Sequence, residues 1–397
     1  MGIIVQKFGG TSVADLERIR HVASLVKKEL MQGKQVVAVV SAMAGVTNSL
    51  ITRCNELSRL DEINALTEYD AAIASGEIVT AALLAIQLQT LGVQAKSLQG
   101  WQVPINTSNL HGNSQITKLN PRKLRELLKE GITPVITGFQ GVSDAGNITT
   151  LGKGGSDTSA AVIAAALKAE RCDIYTDVNG IYTADPRVVH DAKKINEIDI
   201  DQLYALCSAG AKVLHPRAAL AAKRYGFTLR VLSSFDSCLG TTTKSKTKIM
   251  ENRKVTAITS NKNLLKIDVD HDPSSFTNIL KSFSQALIPV EQSYSFGKGF
   301  SVIIANLIDK NKCEKLLGNL KNNLTITKYS VSANISSITI VGYGIKNDAG
   351  FIGGITQLLN DKGIEVLSTD ISDIKMSFLV DDKHNEQVIK LLHEYCF

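Results

Sequence analysis

Over its first 240 residues the chain switches repeatedly between two hydrophobic periods, and that switching leaves few folds open. Ile3 to Lys7 is a short β-rich run, and Asp15 to Met31 then sets Ile19, Val22, Leu25, Val26 and Leu30 at helical spacing. Gln35 to Val40 is almost continuously apolar, the pattern of a strand covered on both faces. The alternation continues with a helix over Asp70 to Leu91, a strand over Val135 to Phe139, a helix over Ser156 to Ala169 and a strand over Cys172 to Thr176. A helix near Asp201 to Ser208 and a strand at Thr228 to Ser233 follow. This order predicts an α/β fold, an open and mostly parallel sheet sandwiched by helices. Ligands of such sheets sit beyond the carboxyl ends of the strands.

The rhythm then changes. Strand, helix, strand, strand, helix and strand are expected from Leu264 to Val331, and the series restarts at Ser336 and runs to Glu394. Two units of β-α-β-β-α-β type make a weak internal repeat. The expected division is therefore 1–240, a basic linker over 241–254, and two smaller units over 255–335 and 336–397. The net charge of +6 raises the question of nucleic acid or membrane partners. Four of the six excess positive charges fall between 241 and 254, however, so the excess reads as a solvated linker and neither partner is expected. No uninterrupted apolar run approaches the ~20 residues of a membrane helix. The start has no basic segment followed by an apolar one, so it does not read as a secretory signal. The six cysteines lie at least 31 residues apart and the seven histidines are scattered, which predicts free thiols in a reducing cytoplasm and no metal site of the protein's own.

Chemistry concentrates at a few turns. Lys7-Phe8-Gly9-Gly10-Thr11-Ser12 lies between a strand and a helix, where glycines let backbone approach a ligand and a helix start offers N–H groups to an anion. Ser12 or Thr11 is the expected cap of that helix. Leu151-Gly152-Lys153-Gly154-Gly155-Ser156-Asp157-Thr158 opens another helix with three glycines, a cation and an acid. Two such starts on one sheet can clamp a polyanion, which favours phosphoryl transfer, a reaction run mostly by positioning and charge neutralisation. Tyr182, Asp185 and Arg187 add a ring, a carboxylate and a guanidinium suited to a nucleotide, and Ser41 and Glu77 also obey the carboxyl-end rule.

Seven segments in order, KFGGTSV, VVSAM, ASGE, GFQG, TLGKGGSDT, YTDVNGIYTADPR and GAKVLHP, make the first 235 or so residues resemble the bacterial monofunctional aspartate kinases of the amino-acid kinase superfamily. The C-terminal repeat resembles that family's paired ACT domains. The resemblance implies ATP- and Mg2+-dependent phosphorylation of the β-carboxylate of L-aspartate, the first step toward lysine, diaminopimelate, threonine and methionine. It implies that Lys7 neutralises the transferring phosphoryl group, with Gly9 and Gly10 as backbone donors and Asp157 orienting the lysine. Ser41, Thr47, Glu77 and the loop Lys153, Gly154, Gly155 and Ser156 would hold aspartate, Glu77 meeting its ammonium group. Thr176, Asp177, Tyr182, Asp185, Arg187 and Lys212 would line the ATP site, with Mg2+ carried on phosphate oxygens. A homodimer or tetramer assembled through the ACT domains is also implied.

Two positions depart from the family pattern. An arginine usually stands where this chain has Lys153; lysine keeps the charge but loses the planar fork that grips a carboxylate. The second C-terminal unit keeps the glycine-bearing effector loop, Asn347-Asp348-Ala349-Gly350-Phe351, whereas the first reads Asp270-His271-Asp272-Pro273-Ser274-Ser275-Phe276 with no glycine. A lysine or threonine effector is thus expected, if anywhere, at Asn347, Asp348, Gly350 and Phe351. Two alternatives remain open: a kinase for another carboxylate, and a non-catalytic amino-acid sensor on a kinase scaffold.

Overall fold

In the computed structural model, which describes residues 2–57, 63–236, 239–244, 255–297 and 299–397, the packing divides the chain into two units. The first holds Met1–Tyr182, Lys193–Ser208 and Lys212–Met250; the second holds Thr183–Ala192, Ala209–Ala211 and Glu251–Phe397. Elements run in the first unit as β1 (Ile3–Phe8), α1 (Leu16–Met31), β2 (Gln35–Val40), α2 (Val46–Leu57), α3 (Ile63–Ile73), α4 (Ser75–Thr90), β3 (Ala95–Leu98), β4 (Ile105–Thr107), β5 (Ile116–Leu119), α5 (Arg122–Lys129) and β6 (Thr133–Thr137). They continue as β7 (Gln140–Val142), β8 (Ile148–Thr150), α6 (Gly155–Leu167), β9 (Arg171–Thr176), β10 (Ile181–Tyr182), β11 (Lys194–Ile195), β12 (Glu197–Asp199), α7 (Ile200–Ser208), α8 (Pro216–Tyr225), β13 (Thr228–Ser233) and β14 (Thr241–Lys244).

The expected parallel sheet is present, with eight strands in the order β12-β14-β13-β9-β1-β2-β6-β3. Every neighbouring pair is parallel except β13 with β14. β1 lies inside it, flanked by β2 on one side and β9 on the other. The chain winds first toward β3 and then, from β9 onward, toward β12, so the strand order reverses at β1, where the carboxyl ends open a crevice. Ile4, Phe8, Val36 and Val40 of the sheet pack with Ile19, Val22 and Val26 of α1 and Ala81, Leu84 and Leu88 of α4. Each large side chain buried there stabilises the layer by roughly 1.5–3 kcal/mol.

Three expectations change. The single helix expected over 70–91 is two, α3 and α4, meeting at Ala74. The stretch Ala65–Thr90 is long and apolar enough to cross a membrane, but half of its most apolar segment is buried inside the protein, as in a core helix. A second sheet, β5-β4-β7-β8, was not foreseen, because strands of three or four residues are too short to display a period. Finally, the linker expected to start at 241 loses its first residues: Thr241–Lys244 forms β14, paired with β12 and β13. Three threonines read as polar, yet β-branched side chains suit a strand. Residues 245–254 of that linker lie outside the described residues.

The second unit contains β15 (Ala257–His271), α9 (Phe276–Gln285), β16 (Val290–Phe296), β17 (Phe300–Asn306), α10 (Lys310–Asn322), β18 (Ile326–Val341), α11 (Ala349–Asp361), β19 (Ser368–Ile371), β20 (Lys375–Asp381) and α12 (Asn385–Cys396). The repeat is real, but its halves share one six-stranded sheet, β16-β17-β15-β18-β20-β19. The expected boundary at 335/336 falls inside the continuous strand β18, and the sequence after it supplies no closing strand for its half. Residues 257–261, at the start of β15, fill that place by pairing with Ser337–Val341. β15 and β18 stay paired along their length, and beside the register shifts around Leu264 each strand carries an asparagine of positive φ, Asn263 (59°) and Asn334 (58°). Asparagine reaches that conformation more readily than other side chains, and β-branched residues least. Replacing Asn334 with Val is expected to cost about 1–2 kcal/mol in urea denaturation, while Asn334→Gly stays within about 0.5 kcal/mol of the parent.

Candidate active site

The site assembles at the carboxyl edge of the sheet because β1, β2, β6 and β9 are parallel and end together. Lys7, next to last in β1, is buried, and its Nζ lies 2.8 Å from Asp157 Oδ1 in the first turn of α6. This contact joins the two glycine-bearing turns. The other Asp157 oxygen, Oδ2, accepts the His215 backbone N–H at 3.1 Å. Burial pushes the His215 imidazole below its ordinary range, and its Nδ1 accepts the Arg217 N–H at 3.3 Å. Sequence reasoning quoted His215 only as part of a motif; its place beside Asp157 was invisible because it acts through the backbone.

Local geometry explains the glycines that matter. Gly154 caps α6 in the left-handed region (φ 71°), and a Cβ there would enter the His215 ring. Gly76, in the first turn of α4, is needed because a Cβ would stand 2.7 Å from that of Ala42 at the end of β2. Around Lys7 the Gly9 N–H donates to the Tyr175 carbonyl at 3.2 Å. The expected cap is corrected: α1 starts at Leu16 and is capped by Asp15, which accepts the Arg18 N–H at 2.8 Å. Thr11 and Ser12 occupy a 3-10 turn with Gly10 and Val13, and the Ser12 hydroxyl meets that of Ser234 at 2.8 Å.

Glu77 is 3 % exposed, and its Oε1 accepts the Ala42 N–H at 3.0 Å. Its Oε2 is buried without a hydrogen-bond partner. Burial outweighs the backbone N–H groups of Ala42 and Glu77 itself and pushes the carboxyl up to about 7. A buried carboxylate oxygen left open in this way fits a cationic group arriving with a ligand. Ser41 follows β2, its N–H donating to Phe8 O at 3.1 Å, and Thr47 lies in the first turn of α2. Ser156 and Gly155 are buried at the start of α6, whereas Lys153 is exposed on the loop before it.

The nucleotide candidates divide. Thr176 ends β9, its hydroxyl on Asp177 Oδ1 at 3.0 Å, and Lys212 is exposed. Tyr182 is in β10, opposite Lys194. Asp185 and Arg187 fall in Thr183–Ala192, the segment that packs with the second unit, and they pair with each other at 2.7 Å. In that unit Ala184 and Val189 are core residues. Of the effector candidates, Asp348 caps α11 by accepting the Phe351 N–H at 3.0 Å, Gly350 lies in its first turn, and Asn347 ends a 3-10 turn. The corresponding loop of the first half is closed by its own side chains: Asp272 accepts the Ser274 N–H at 2.9 Å and buried His271 meets Ser301 Oγ at 2.7 Å.

Residues 2–233 match the Amino acid kinase family and residues 338–395 match the ACT domain. The aspartokinase of Rickettsia felis is 46 % identical over 398 residues, covering 98 % of each chain. That of Geobacillus stearothermophilus is 38 % identical over 404 residues, covering 99 % of this chain and 97 % of its own. The fold superposes on Escherichia coli aspartokinase III in complex with aspartate and ADP with a TM-score of 0.86 at 26 % identity, covering 99 % of both chains.

The raised Glu77 carboxyl has a measurable cost in the free protein. An acid near 4.5 when unfolded and about 7 when folded makes the native state lose stability as pH climbs from about 4.5 to about 7. Glu77→Gln removes that loss. Its thermal midpoint is expected to exceed the parent's by several degrees near pH 8, on the order of 1–3 kcal/mol, with the gap closing below about pH 4.5.

Proposed function

The chain belongs to the aspartokinases of the amino acid kinase family, and on that premise we propose that it transfers the γ-phosphoryl group of ATP to the β-carboxylate of L-aspartate, giving 4-phospho-L-aspartate and ADP. The observation that carries this reading is the buried Lys7–Asp157 pair, which sets a cation between two glycine-bearing turns at the point where the strand order reverses. An aspartate β-carboxylate oxygen attacks the γ-phosphorus, the bond to the bridging oxygen breaks, and ADP leaves with that oxygen. Lys7 Nζ neutralises charge on the transferring group, and N–H groups of Gly10 and the start of α6 face the phosphates, whereas the Gly9 N–H expected to join them is taken by the Tyr175 carbonyl. Asp157 holds Lys7 in place, itself held by the His215 N–H. Mg2+ would be carried by ATP rather than by a protein cage, which suits an acid already committed to Lys7.

Glu77 Oε2 takes the α-ammonium of aspartate, and Lys153 with the Ser156 region takes its α-carboxylate, alongside Ser41 and Thr47. Thr176, Asp177, Tyr182, Asp185, Arg187 and Lys212 are assigned to ATP. The first unit is the catalytic part and the second a regulatory ACT pair, with a lysine or threonine effector at Asn347, Asp348, Gly350 and Phe351. Assembly through ACT sheets into a dimer or tetramer and a cytoplasmic location complete the reading. The E. coli aspartokinase III structure with lysine and aspartate, matched at a TM-score of 0.74 and 27 % identity, supports the effector assignment.

An ADP-coupled assay with aspartate, glutamate and N-acetylglutamate tests the reading; turnover with aspartate alone is expected. Turnover only with another acid, or amino-acid binding without turnover, would sink it. Lys7→Ala is expected to lower kcat by on the order of 10²–10³. Because a neutral acid does not pair with an ammonium, kcat/KM for aspartate should rise with pH through about 7, and that limb should vanish in Glu77→Gln. Restoring the planar fork with Lys153→Arg should lower KM for aspartate roughly fivefold.

A further inference from the structure

The loop that carries Lys153 begins at Thr150 and Leu151, and every backbone polar group of that dipeptide is bound. Thr150 N–H donates to Asp70 Oδ2 at 3.0 Å and Thr150 O accepts the Ser114 N–H at 2.8 Å. Leu151 N–H donates to Phe139 O, and Leu151 O accepts Arg217 Nη1, both at 2.9 Å. Asp70 is the hub. It is fully buried on α3 and also accepts the Thr150 hydroxyl at 2.5 Å, the Gly112 N–H at 3.1 Å and His111 Nδ1 at 2.8 Å. His111 Nε2 in turn meets the Thr67 hydroxyl at 3.3 Å. Since a carboxylate oxygen only accepts, Nδ1 is the ring nitrogen that carries the proton.

Asp70 stands seven residues before Glu77. The corner between them is tied as well: Ala74 N–H donates to Asp70 O, and Ala74 O accepts Gln140 Nε2, each at 3.0 Å. Helix α3 could seat on β8 through apolar contact at less cost, because well-packed hydrophobic residues usually match or exceed a buried charge in stability. What a carboxylate with four directional donors adds is a fixed register. We propose that Asp70, oriented by His111, is a positioning residue for substrate binding: it fixes the Lys153–Ser156 loop relative to Glu77, and so sets the spacing at which the α-carboxylate and α-ammonium of an α-amino acid are gripped together. This rests on the aspartokinase reading above. The ATP contacts assigned to Thr176, Asp177, Tyr182 and Lys212 do not pass through Asp70, and the phosphates are also held by Lys7, so KM for aspartate responds more than KM for ATP.

Asp70→Asn keeps the shape but sets an amide donor against existing donors. KM for aspartate is expected to rise about tenfold or more, with KM for ATP within about twofold of the parent. His111→Ala should raise KM for aspartate similarly, and His111→Asn, whose amide can occupy the Nδ1 place, should restore most of it. If Asp70→Asn does not fold, the two His111 variants carry the test. Variants whose thermal midpoint falls while both KM values hold, or whose two KM values rise together, would overturn the proposal in favour of a purely structural carboxylate. A parent enzyme that releases no ADP with aspartate overturns the functional reading instead, and this proposal with it.

Discussion

Asp157 holds the Lys7 ammonium at 2.8 Å in a place almost closed to water, and the catalytic half is arranged around keeping that pair intact. Two charges removed from water cost several kcal/mol unless geometry and further hydrogen bonds compensate. Compensation here comes from backbone. α6 starts at Gly155 so that Asp157 lies in its first turn, where the helix dipole favours an acid. The chain before α8 then delivers the His215 N–H to the free Asp157 oxygen. Gly154 gives up its side chain because the His215 ring occupies that space. Breaking such a pair from one side strands a buried charge, at about 3–5 kcal/mol.

The parallel sheet was legible because a strand covered on both faces writes itself as an apolar run, as Val36–Val40 does, and a covering helix writes a 3.6-residue stripe. The glycine-bearing turns were legible because few structures need three glycines before an acid. What stayed hidden depends on partners far away in the chain. Asp70 and Thr150 are 80 residues apart, and no local pattern marks an aspartate as a hub. The helix break at Ala74 is tied by Gln140, whose Nε2 donates to the Ala74 carbonyl from 66 residues away. Thr241–Lys244 looked like linker because threonine is polar, although its neighbours in the sheet decide the matter.

The C-terminal repeat failed in a more instructive way. Its hydrophobic pattern marks nearly every strand, but strand length is set by the bulges at Asn263 and Asn334, and an asparagine in a polar stretch reads as a turn. The missing last strand of the second half was in plain sight at 257–261, at the start of the first half. Contiguity along the chain was the wrong assumption.

Ala184 and Val189 sit in the core of the second unit although they lie between β10 and β11 of the first. The chain therefore crosses between the units more than once, leaving at Thr183, returning at Lys193, leaving again at Ala209 and returning at Lys212 before its final departure. Two separately folded halves joined at a single point would not give this path. A cut after Met250 would leave Thr183–Ala192 on the first piece, and the second would lose Ala184 and Val189 from its core.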